Sequence, residues 1–335
     1  MSPSFTPSQI QRYEKGGYRF LGKNKHSAIQ VCRWAKSSLR GKRDCYKKIF
    51  GITSHRCIQI SPTLNYCPFS CEFCWRTFKE KNFNRKKQWD SPKEIVQDAI
   101  KQQKTYLAGF GGSKYTTEKR LKEALTPNHF AISLDGEPTI YPHLPELIKE
   151  IKAKGNTVFL VTNGVFPNKI KELYKKNAIP DNLSLSIYAT NPKDYQTVTK
   201  SFIPFPLNKI KQSLKLMRLF KNTRTNVRLT LVKDLNLKDP KGYAKLILLA
   251  KPKFITLKGY SFLGASAKKL KITNMPTMQE IEDFANSLSK HTKYIQFYKD
   301  RISRVIILIK DKSVIKFNKK KIKEQKQRYK TVFLN

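Results

Sequence analysis

The chain has 335 residues, of which 67 are lysine or arginine and 24 are aspartate or glutamate, so its formal net charge is +43. This length fits one large α/β barrel or two ordinary domains, and the charge far exceeds what solubility requires, which indicates a polyanionic partner such as nucleic acid. The amino terminus is polar and no apolar run reaches the roughly 18 residues that a membrane span needs, so we expect a cytoplasmic monomer without an export signal.

Residues 1–56 are predicted to form an amino-terminal extension rich in lysine and arginine. Aromatic side chains that can stack on unpaired bases are interleaved with these charges, namely Tyr13, Tyr18, Phe20, Trp34 and Tyr46. Cys32, Cys45 and Cys57 are separated by 13 and 12 residues, and cysteines so far apart are only a weak indication of a shared metal site. Incidental buried thiols and a metal-binding group therefore both remain open for these three cysteines.

Residues 57–310 alternate short β-branched runs with helical patterns, which is typical of parallel strands joined by crossover helices. A capping box at Ser91 and another at Thr277 mark the starts of two helices. Two later runs, 294–297 and 304–309, predict an added hairpin, and residues 311–335 form a basic tail. Six strands are predicted, at Ile58–Ile60, Phe130–Leu134, Val158–Val161, Leu183–Ile187, Val227–Val232 and Phe254–Leu257.

The loop after the first predicted strand contains Cys67, Cys71 and Cys74 in the sequence CPFSCEFC. Iron–sulfur clusters are ordinarily held by four cysteines, so three thiolates predict a cluster with one iron open to a small molecule. A zinc site or three unrelated thiols are the alternatives, but structural zinc usually takes four ligands in paired spacings. The spacing therefore favours an iron–sulfur centre.

The other predicted strands also end in polar loops, and in a βα barrel such loops carry the reactive groups. Asp135-Gly136-Glu137-Pro138-Thr139 follows the second strand, and Thr162-Asn163-Gly164 follows the third. Glycines in such loops also have a plain role in turns. We therefore expect the active site at the carboxyl ends of the strands, with some of these residues serving only the turns.

CX3CX2C with Phe73 before its last cysteine resembles the signature of the radical S-adenosylmethionine superfamily, and Gly136-Glu137-Pro138 resembles its GGE-type motif. The resemblance narrows to the archaeal tRNA 4-demethylwyosine synthases over roughly residues 10 to 310. The matching segments are Cys32, Cys45-Tyr46-Lys47, Cys57, Cys67 through Arg76, Ser133 through Thr139, Val161 through Gly164, Arg228 through Lys233 and Lys258-Gly259-Tyr260.

This resemblance implies an α/β fold with a partial TIM-like (β/α)6 barrel of the radical S-adenosylmethionine type, extended at both ends. It implies two 4Fe–4S clusters, one held by Cys67, Cys71 and Cys74 and the other by Cys32, Cys45 and Cys57. S-adenosylmethionine is expected on the open iron of the first cluster. The residues implied to bind it are Phe73, Gly136, Glu137, Pro138, Thr162 and Asn163.

The family resemblance further implies a reaction in which two carbons of pyruvate are joined to N1-methylguanosine in a tRNA anticodon loop, with tRNA-Phe as the expected substrate. Lys47 is the candidate for a Schiff base with pyruvate, although the open iron of the second cluster is an alternative holder. A separate electron donor, such as a ferredoxin or flavodoxin, is implied as well. Eukaryotic members of the family carry a flavodoxin-like domain before the catalytic region, and residues 1–56 leave no room for one, so we expect none here.

Two functions of other classes remain open from the sequence. Another radical enzyme with a substrate other than tRNA would keep the CX3CX2C loop but would not need the second group of cysteines. A non-catalytic, metal-containing nucleic-acid-binding protein would keep the positive charge.

Overall fold

All six predicted parallel strands are present in the computed structural model, which describes residues 5–76 and 88–333. The described residues divide into two compact units. The first comprises residues 5–64, 88–160 and 319–333, and the second comprises residues 65–76 and 161–318. Within the described ranges, no helix combines the length and apolar character that crossing a membrane requires.

The first unit is built on five neighbouring strands, of which β1 and β2 form an antiparallel hairpin and β2 continues antiparallel to β3. β3 pairs in parallel with β4 from Cys57↔His129 onward, and β4 pairs in parallel with β5 from His129↔Thr157. The strands are β1 (Tyr18–Leu21), β2 (Ser27–Gln30), β3 (Cys57–Ser61), β4 (His129–Ile132) and β5 (Thr157–Thr162).

Helices of the first unit begin where the sequence provides caps. The Ser91 hydroxyl accepts a hydrogen bond from the backbone N–H of Glu94 at 3.3 Å, which starts the longest of them. Apolar side chains such as Ile95 and Val96 are fully buried on its inner face. The helices are α1 (Pro7–Lys15), α2 (Arg33–Leu39), α3 (Pro92–Ala108), α4 (Glu118–Leu125) and α5 (Leu144–Ala153).

The second unit contains three parallel strands, β6 (Asn182–Ile187), β7 (Arg224–Leu231) and β8 (Phe254–Gly259). Every residue of β6 is buried, which is usual for a parallel strand covered on both faces. The predicted hairpin follows: β10 (Val305–Ile309) pairs antiparallel with both β8 and β9 (Ile295–Asp300). Its helices are α6 (Pro167–Lys175), α7 (Pro192–Thr199), α8 (Pro206–Leu216), α9 (Pro240–Ala250) and α10 (Met278–Thr292).

The structure adds elements that the sequence patterns did not predict. The β1–β2 hairpin and α2 give the amino-terminal extension a definite fold. The basic tail forms the helix α11 (Ser313–Phe333). In this helix Val314, Asn318 and Gln325 are buried, so the tail packs through one face despite its many lysines.

Candidate active site

The CX3CX2C loop lies in the second unit and is tied to the end of α7 by backbone hydrogen bonds. The N–H of Ser70 donates to Thr199 O at 2.8 Å, and the N–H of Glu72 donates to Val198 O at 3.0 Å. The loop is closed on itself by a bond from the Cys74 N–H to Cys71 O at 3.1 Å. The positions of the three cysteines are therefore fixed by the main chain rather than by their side chains alone.

Aromatic rings pack beneath and beside this loop. Phe69 is 2% exposed, and its ring lies 6.4 Å from that of Tyr188 and 6.2 Å from that of Tyr195. Phe73, predicted to contact the cofactor, lies against Tyr188 at 5.2 Å between ring centroids. Burial raises the pKa of Tyr195 well above its usual value, so its phenol stays neutral and acts as part of the packing.

Asn163 is brought to the cysteine loop by the turn after β5. Its Nδ2 lies 3.9 Å from Cys67 Sγ within hydrogen-bonding range for sulfur, and its Oδ1 accepts the Val165 N–H at 3.0 Å. Gly164 allows this turn through a positive φ of 71°, and Thr162 Oγ1 accepts the Gly164 N–H at 3.0 Å. Hydrogen bonds to cysteine sulfurs tune the reduction potential of a cluster that they hold, so Asn163 is placed to affect the Cys67 thiolate in that way if it binds a cluster.

The exit of the loop is held by residues that sequence reasoning missed. Trp75 O accepts the N–H of Ala265 at 3.0 Å, and the Glu72 carboxylate pairs with Lys200 at 3.8 Å and Lys269 at 3.6 Å. These partners lie more than 120 residues along the chain from the loop. No spacing pattern in the sequence signals such long-range contacts.

In the first unit, the Gly136-Glu137-Pro138 turn is fixed from the end of β3. Thr63 Oγ1 donates to Glu137 O at 3.0 Å, and Gly136 takes a positive φ of 67°. The Glu137 side chain is 2% exposed, and its Oε1 accepts the Thr139 N–H at 3.1 Å. The predicted carbonyl and carboxylate acceptors are thus held in fixed positions, and Pro138 begins the short turn that follows.

Cys32, Cys45 and Cys57 also lie in the first unit, each at the end of a short element. Cys32 caps α2 and its Sγ accepts the Ala35 N–H at 3.4 Å, whereas Cys45 precedes a 3-10 turn and Cys57 begins β3. Burial raises the pKa of the Cys57 thiol to about 12, while the nearby Lys47 ammonium lowers it and Cys32 and Cys45 raise it. The three thiols and Lys47 therefore share one electrostatic neighbourhood.

That neighbourhood fits a cationic metal centre by the chemistry of its donors. Three thiolates would repel one another in this partly buried place, and the positive charge of a bound metal centre offsets that repulsion and stabilises the deprotonated thiols. In residues 5–76 and 88–333, no three Cys, His, Asp or Glu side chains surround a single metal-ion position. A cubane cluster instead distributes its thiolate ligands over separate iron atoms.

A buried polar network, which we call the His55 brace, holds the segments that carry these cysteines. His55 Nδ1 lies 2.9 Å from Ser38 Oγ on α2, and His55 Nε2 lies 2.7 Å from Glu123 Oε2 on α4. Burial lowers the pKa of His55, although the Glu123 hydrogen bond opposes this, so we assign a neutral ring that accepts from Ser38 and donates to Glu123. The adjacent Ser54 Oγ accepts the Cys45 N–H at 2.8 Å.

Lys47 extends from the 3-10 turn after Cys45 to Ser133, just after the carboxyl end of β4, and to Phe159 in the first half of β5. Its Nζ lies 3.5 Å from Ser133 Oγ and 4.4 Å from the ring centroid of Phe159. The side chain is half-buried, so the amine is both positioned and reachable. Within the first unit, the Lys47 charge thus acts on Cys57, and its side chain contacts the end of β4 and the first half of β5.

Family models and full-length relatives match this chain. A model described as Radical SAM superfamily matches residues 61–247, and one described as Wyosine base formation matches residues 249–310. The S-adenosyl-L-methionine-dependent tRNA 4-demethylwyosine synthase of Pyrococcus horikoshii is 40% identical over 315 residues, covering 92% of this chain and 91% of that protein. The protein of that description from Pyrococcus abyssi is also 40% identical, with the same coverage.

Solved structures are similar over nearly the whole fold. One, described as TYW1 with a lysine-pyruvate adduct bound, has a TM-score of 0.81 and 30% identity, covering 91% of this chain and 96% of that one. Another, described as archaeal TYW1, has a TM-score of 0.74 and 29% identity with the same coverage. Together with the strand order in each unit, these similarities confirm the predicted fold class, a partial (β/α)6 barrel of the radical S-adenosylmethionine type with extensions.

Proposed function

Because the chain belongs to the radical S-adenosylmethionine superfamily and to its tRNA 4-demethylwyosine synthase family, we propose that it joins two carbons of pyruvate to N1-methylguanosine in the anticodon loop of a tRNA. The observation that carries the proposal is the 40% identity to the Pyrococcus horikoshii enzyme across more than nine tenths of both chains. A match of that extent does not favour a non-catalytic nucleic-acid-binding protein or a radical enzyme of another class.

Radical chemistry would start at the CX3CX2C loop. A 4Fe–4S cluster held by Cys67, Cys71 and Cys74 would supply the electron that cleaves S-adenosylmethionine into methionine and a 5′-deoxyadenosyl radical. The backbone bonds to α7 hold these thiols in place, and Asn163 donates toward Cys67. In the first unit, the Glu137 carboxylate and a backbone carbonyl of the Gly136-Glu137-Pro138 turn are proposed to accept hydrogen bonds from the amino group of S-adenosylmethionine. In the second unit, Phe73, Thr162 and Asn163 are proposed to contact S-adenosylmethionine, as the family resemblance implies.

The proposed radical takes a hydrogen atom from the N1-methyl group of the guanosine. The resulting methylene radical adds to the keto carbon of pyruvate, and the adduct radical releases the carboxylate carbon as the carbon dioxide radical anion, which passes its extra electron to the separate electron carrier and leaves as carbon dioxide. Condensation of the guanosine amino group with the remaining carbonyl carbon then releases water and closes the third ring of the tricyclic base. Electrons would come from a separate ferredoxin or flavodoxin, and the enzyme would act as a cytoplasmic monomer on a tRNA such as tRNA-Phe.

Lys47 is proposed to hold pyruvate as a Schiff base. Formation of the imine joins Nζ to the keto carbon and releases water. The contact with Ser133 holds Nζ at the carboxyl end of β4, the end of the strands at which barrel enzymes place their reactive groups, and the Phe159 ring supports it from β5. The solved relative with a lysine-pyruvate adduct supports a lysine in this role.

A second 4Fe–4S cluster is proposed at Cys32, Cys45 and Cys57. The support is the shared electrostatic environment of the three thiols and the His55 brace, which fixes the segments that carry them. Anaerobic reconstitution followed by iron and sulfide analysis tests this directly. About seven to eight irons per chain would indicate two cubanes, whereas about four would indicate the first alone.

The activity is tested by incubating N1-methylguanosine-containing tRNA with the reconstituted protein, S-adenosylmethionine, pyruvate and a reductant without oxygen, and then analysing its nucleosides by mass spectrometry. We expect 4-demethylwyosine to form only when pyruvate is present. Formation of 5′-deoxyadenosine without a modified nucleoside would support the radical chemistry but contradict the proposed substrates.

The role of Lys47 is tested by Lys47→Ala with Lys48→Ala as the matched control. Both variants lose one positive charge in the same turn, but Lys48 is exposed and Lys47 is half-buried. We expect Lys47→Ala to abolish 4-demethylwyosine while still cleaving S-adenosylmethionine, and Lys48→Ala to retain turnover. Normal product formation by Lys47→Ala would rule out the assignment.

The high positive charge of the chain predicts that its affinity for tRNA depends on salt concentration. Each phosphate contact made by lysine or arginine releases condensed counterions, so affinity should fall steeply and log-linearly with added salt. Binding constants measured by filter retention between 50 and 300 mM potassium chloride provide the slope. An affinity that does not change over this range would contradict the electrostatic explanation.

A further inference from the structure

Two phenylalanines are exposed on the segment that joins α7 to α8 in the second unit. The fractional exposure of Phe202 is 44% and that of Phe205 is 78%. In the described part of the chain, neither ring packs against another aromatic ring or a cation. Single exposed apolar side chains are common on protein surfaces, but here two large aromatic rings are exposed within four residues of one short segment.

Phe205 also occupies a backbone conformation that its side chain disfavours. It is the residue before α8, with φ 50° and ψ 49°, and its side chain makes no capping hydrogen bond. Left-handed conformations at helix boundaries ordinarily use glycine or asparagine because a Cβ atom is strained there. The ring is therefore kept where both exposure and backbone geometry disfavour it, which is characteristic of functional positions.

The same segment is attached to the CX3CX2C loop. The Phe202 N–H donates to Pro68 O at 2.9 Å, next to the two bonds that join Ser70 and Glu72 to the end of α7. Ser201 Oγ also lies 2.9 Å from Ile203 O, and Ser201 O accepts from Gln196 Nε2 at 3.2 Å. The two rings are thus carried on a braced segment beside the loop that holds Cys67 and Cys71.

Positive charges flank the two phenylalanines in the sequence. Lys200 precedes them, and Lys209 and Lys211 follow in the first turns of α8. Lys200 reaches Glu72 at 3.8 Å, whereas Lys209 and Lys211 form no ion pair with any residue that the structure describes. Aromatic rings among lysines match single-stranded nucleic acid, in which bases stack on the rings and phosphates meet the charges.

We propose that Phe205, assisted by Phe202, is a stacking platform for an unpaired base of the RNA substrate next to the nucleotide that reacts. This inference rests on the proposed function, because it takes the substrate to be an RNA loop. An apolar protein surface is the alternative occupant. The bordering lysines favour RNA, since an apolar protein contact is usually depleted in lysine.

The test compares Phe205→Ala, Phe205→Gly and Phe205→Trp with Ile302→Ala. Ile302 is 70% exposed in the turn between β9 and β10, so it controls for loss of an exposed apolar side chain. Reconstituted proteins are measured for iron content, the Kd and KM of N1-methylguanosine-containing tRNA, and melting temperature. Alanine substitution of stacking aromatics weakens binding by roughly 5- to 150-fold, and we expect this for Phe205→Ala in both Kd and KM.

The glycine and tryptophan variants separate stacking from a structural role. Phe205→Gly should weaken tRNA binding as much as alanine does yet melt at the wild-type temperature or above, because glycine relieves the backbone strain. Phe205→Trp should bind like wild type, and Ile302→Ala should be unchanged throughout. A residue that only supported the fold would lose stability, not affinity alone, when it is replaced by glycine.

Several results would overturn the inference. Wild-type tRNA affinity in Phe205→Ala would do so, as would a loss of iron in that variant, which would show a structural role for the ring. A variant that binds tRNA normally but loses turnover only with a protein reductant would identify a protein-docking surface instead. If wild-type protein forms no 4-demethylwyosine, the proposed function itself fails, and the variants are not needed to show it.

Discussion

The His55 brace provides a quantitative test of how the first unit holds Cys32, Cys45 and Cys57. His55→Ala removes two hydrogen bonds at once, one to Ser38 and one to Glu123. Ser38 is fully buried and His55 is 5% exposed, so in His55→Ala the Ser38 hydroxyl loses its hydrogen-bond acceptor at a place that water does not reach. Leaving a buried polar group unsatisfied costs about 1–3 kcal/mol.

The remaining contributions are smaller. The Glu123 side chain is 37% exposed and can regain water, so loss of its hydrogen bond from His55 contributes at most about 1 kcal/mol. The cavity left by the imidazole adds about 1 kcal/mol or more. We therefore expect His55→Ala to destabilise the protein by about 3 kcal/mol, whereas Glu123→Gln, which keeps a hydrogen-bonding group, costs less than about 1 kcal/mol.

The assay is urea unfolding of the reduced, metal-free protein, followed by fluorescence, with each midpoint converted to free energy through the measured slope. Iron analysis of the same variants after reconstitution then reports on the proposed second cluster. We expect His55→Ala to bind about half the iron of wild type, since the first cluster's loop lies in the other unit. A change in stability below about 1 kcal/mol would refute the reasoning about the brace.

Three further predictions concern single residues. Gly164→Ala should lower the free energy of unfolding in urea by about 2–3 kcal/mol, because φ is 71° and the new Cβ would lie 2.7 Å from a leucine side chain of β6. The control Gly112→Ala places its Cβ where no heavy atom lies within 4 Å, so it should change stability by less than about 0.5 kcal/mol. Thr63→Val removes the hydrogen bond to Glu137 O and should raise the KM for S-adenosylmethionine about fivefold without lowering iron content. The hydrogen bond from Lys233 lowers the pKa of the Glu280 carboxyl in the folded protein. The carboxylate therefore stabilises the fold fully above its unfolded pKa of 4.5, and this contribution is lost as the pH falls through the lower folded pKa. Stability measured from pH 6 to 3 should therefore fall less in Glu280→Gln than in wild type.

The features that were predictable from sequence are local. Alternating β-branched runs indicated the six parallel strands, and Ser91 and Thr277 marked helix starts because a capping box involves residues only three apart. The prediction for β4 extended two residues too far, to Leu134, because Ser133 and Leu134 already turn to donate to Ile60 O. The CX3CX2C motif was recognisable for the same reason, because its three cysteines lie within eight consecutive residues and their spacing alone predicts a metal-binding loop.

The features that were missed depend on contacts between distant residues. Glu123 lies 68 residues from His55, and Thr199 lies 129 residues from Ser70, so no periodic pattern could reveal either contact. The many lysines of α11 similarly obscured the buried face that includes Val314 and Asn318. Tertiary packing decides such elements more than local propensity does.

Strand β3 acts as a rigid spacer within the first unit. Cys57 is its first residue, and Ser61, which donates to Asp135 O at 2.7 Å, is its last. Four steps of about 3.3 Å place the thiol-bearing end and the turn-bearing end about 13 Å apart. Because successive side chains alternate faces, insertion of one residue between them would turn one end over relative to the other. Changes in the length of this strand should therefore be tolerated far less than changes in the loops around it.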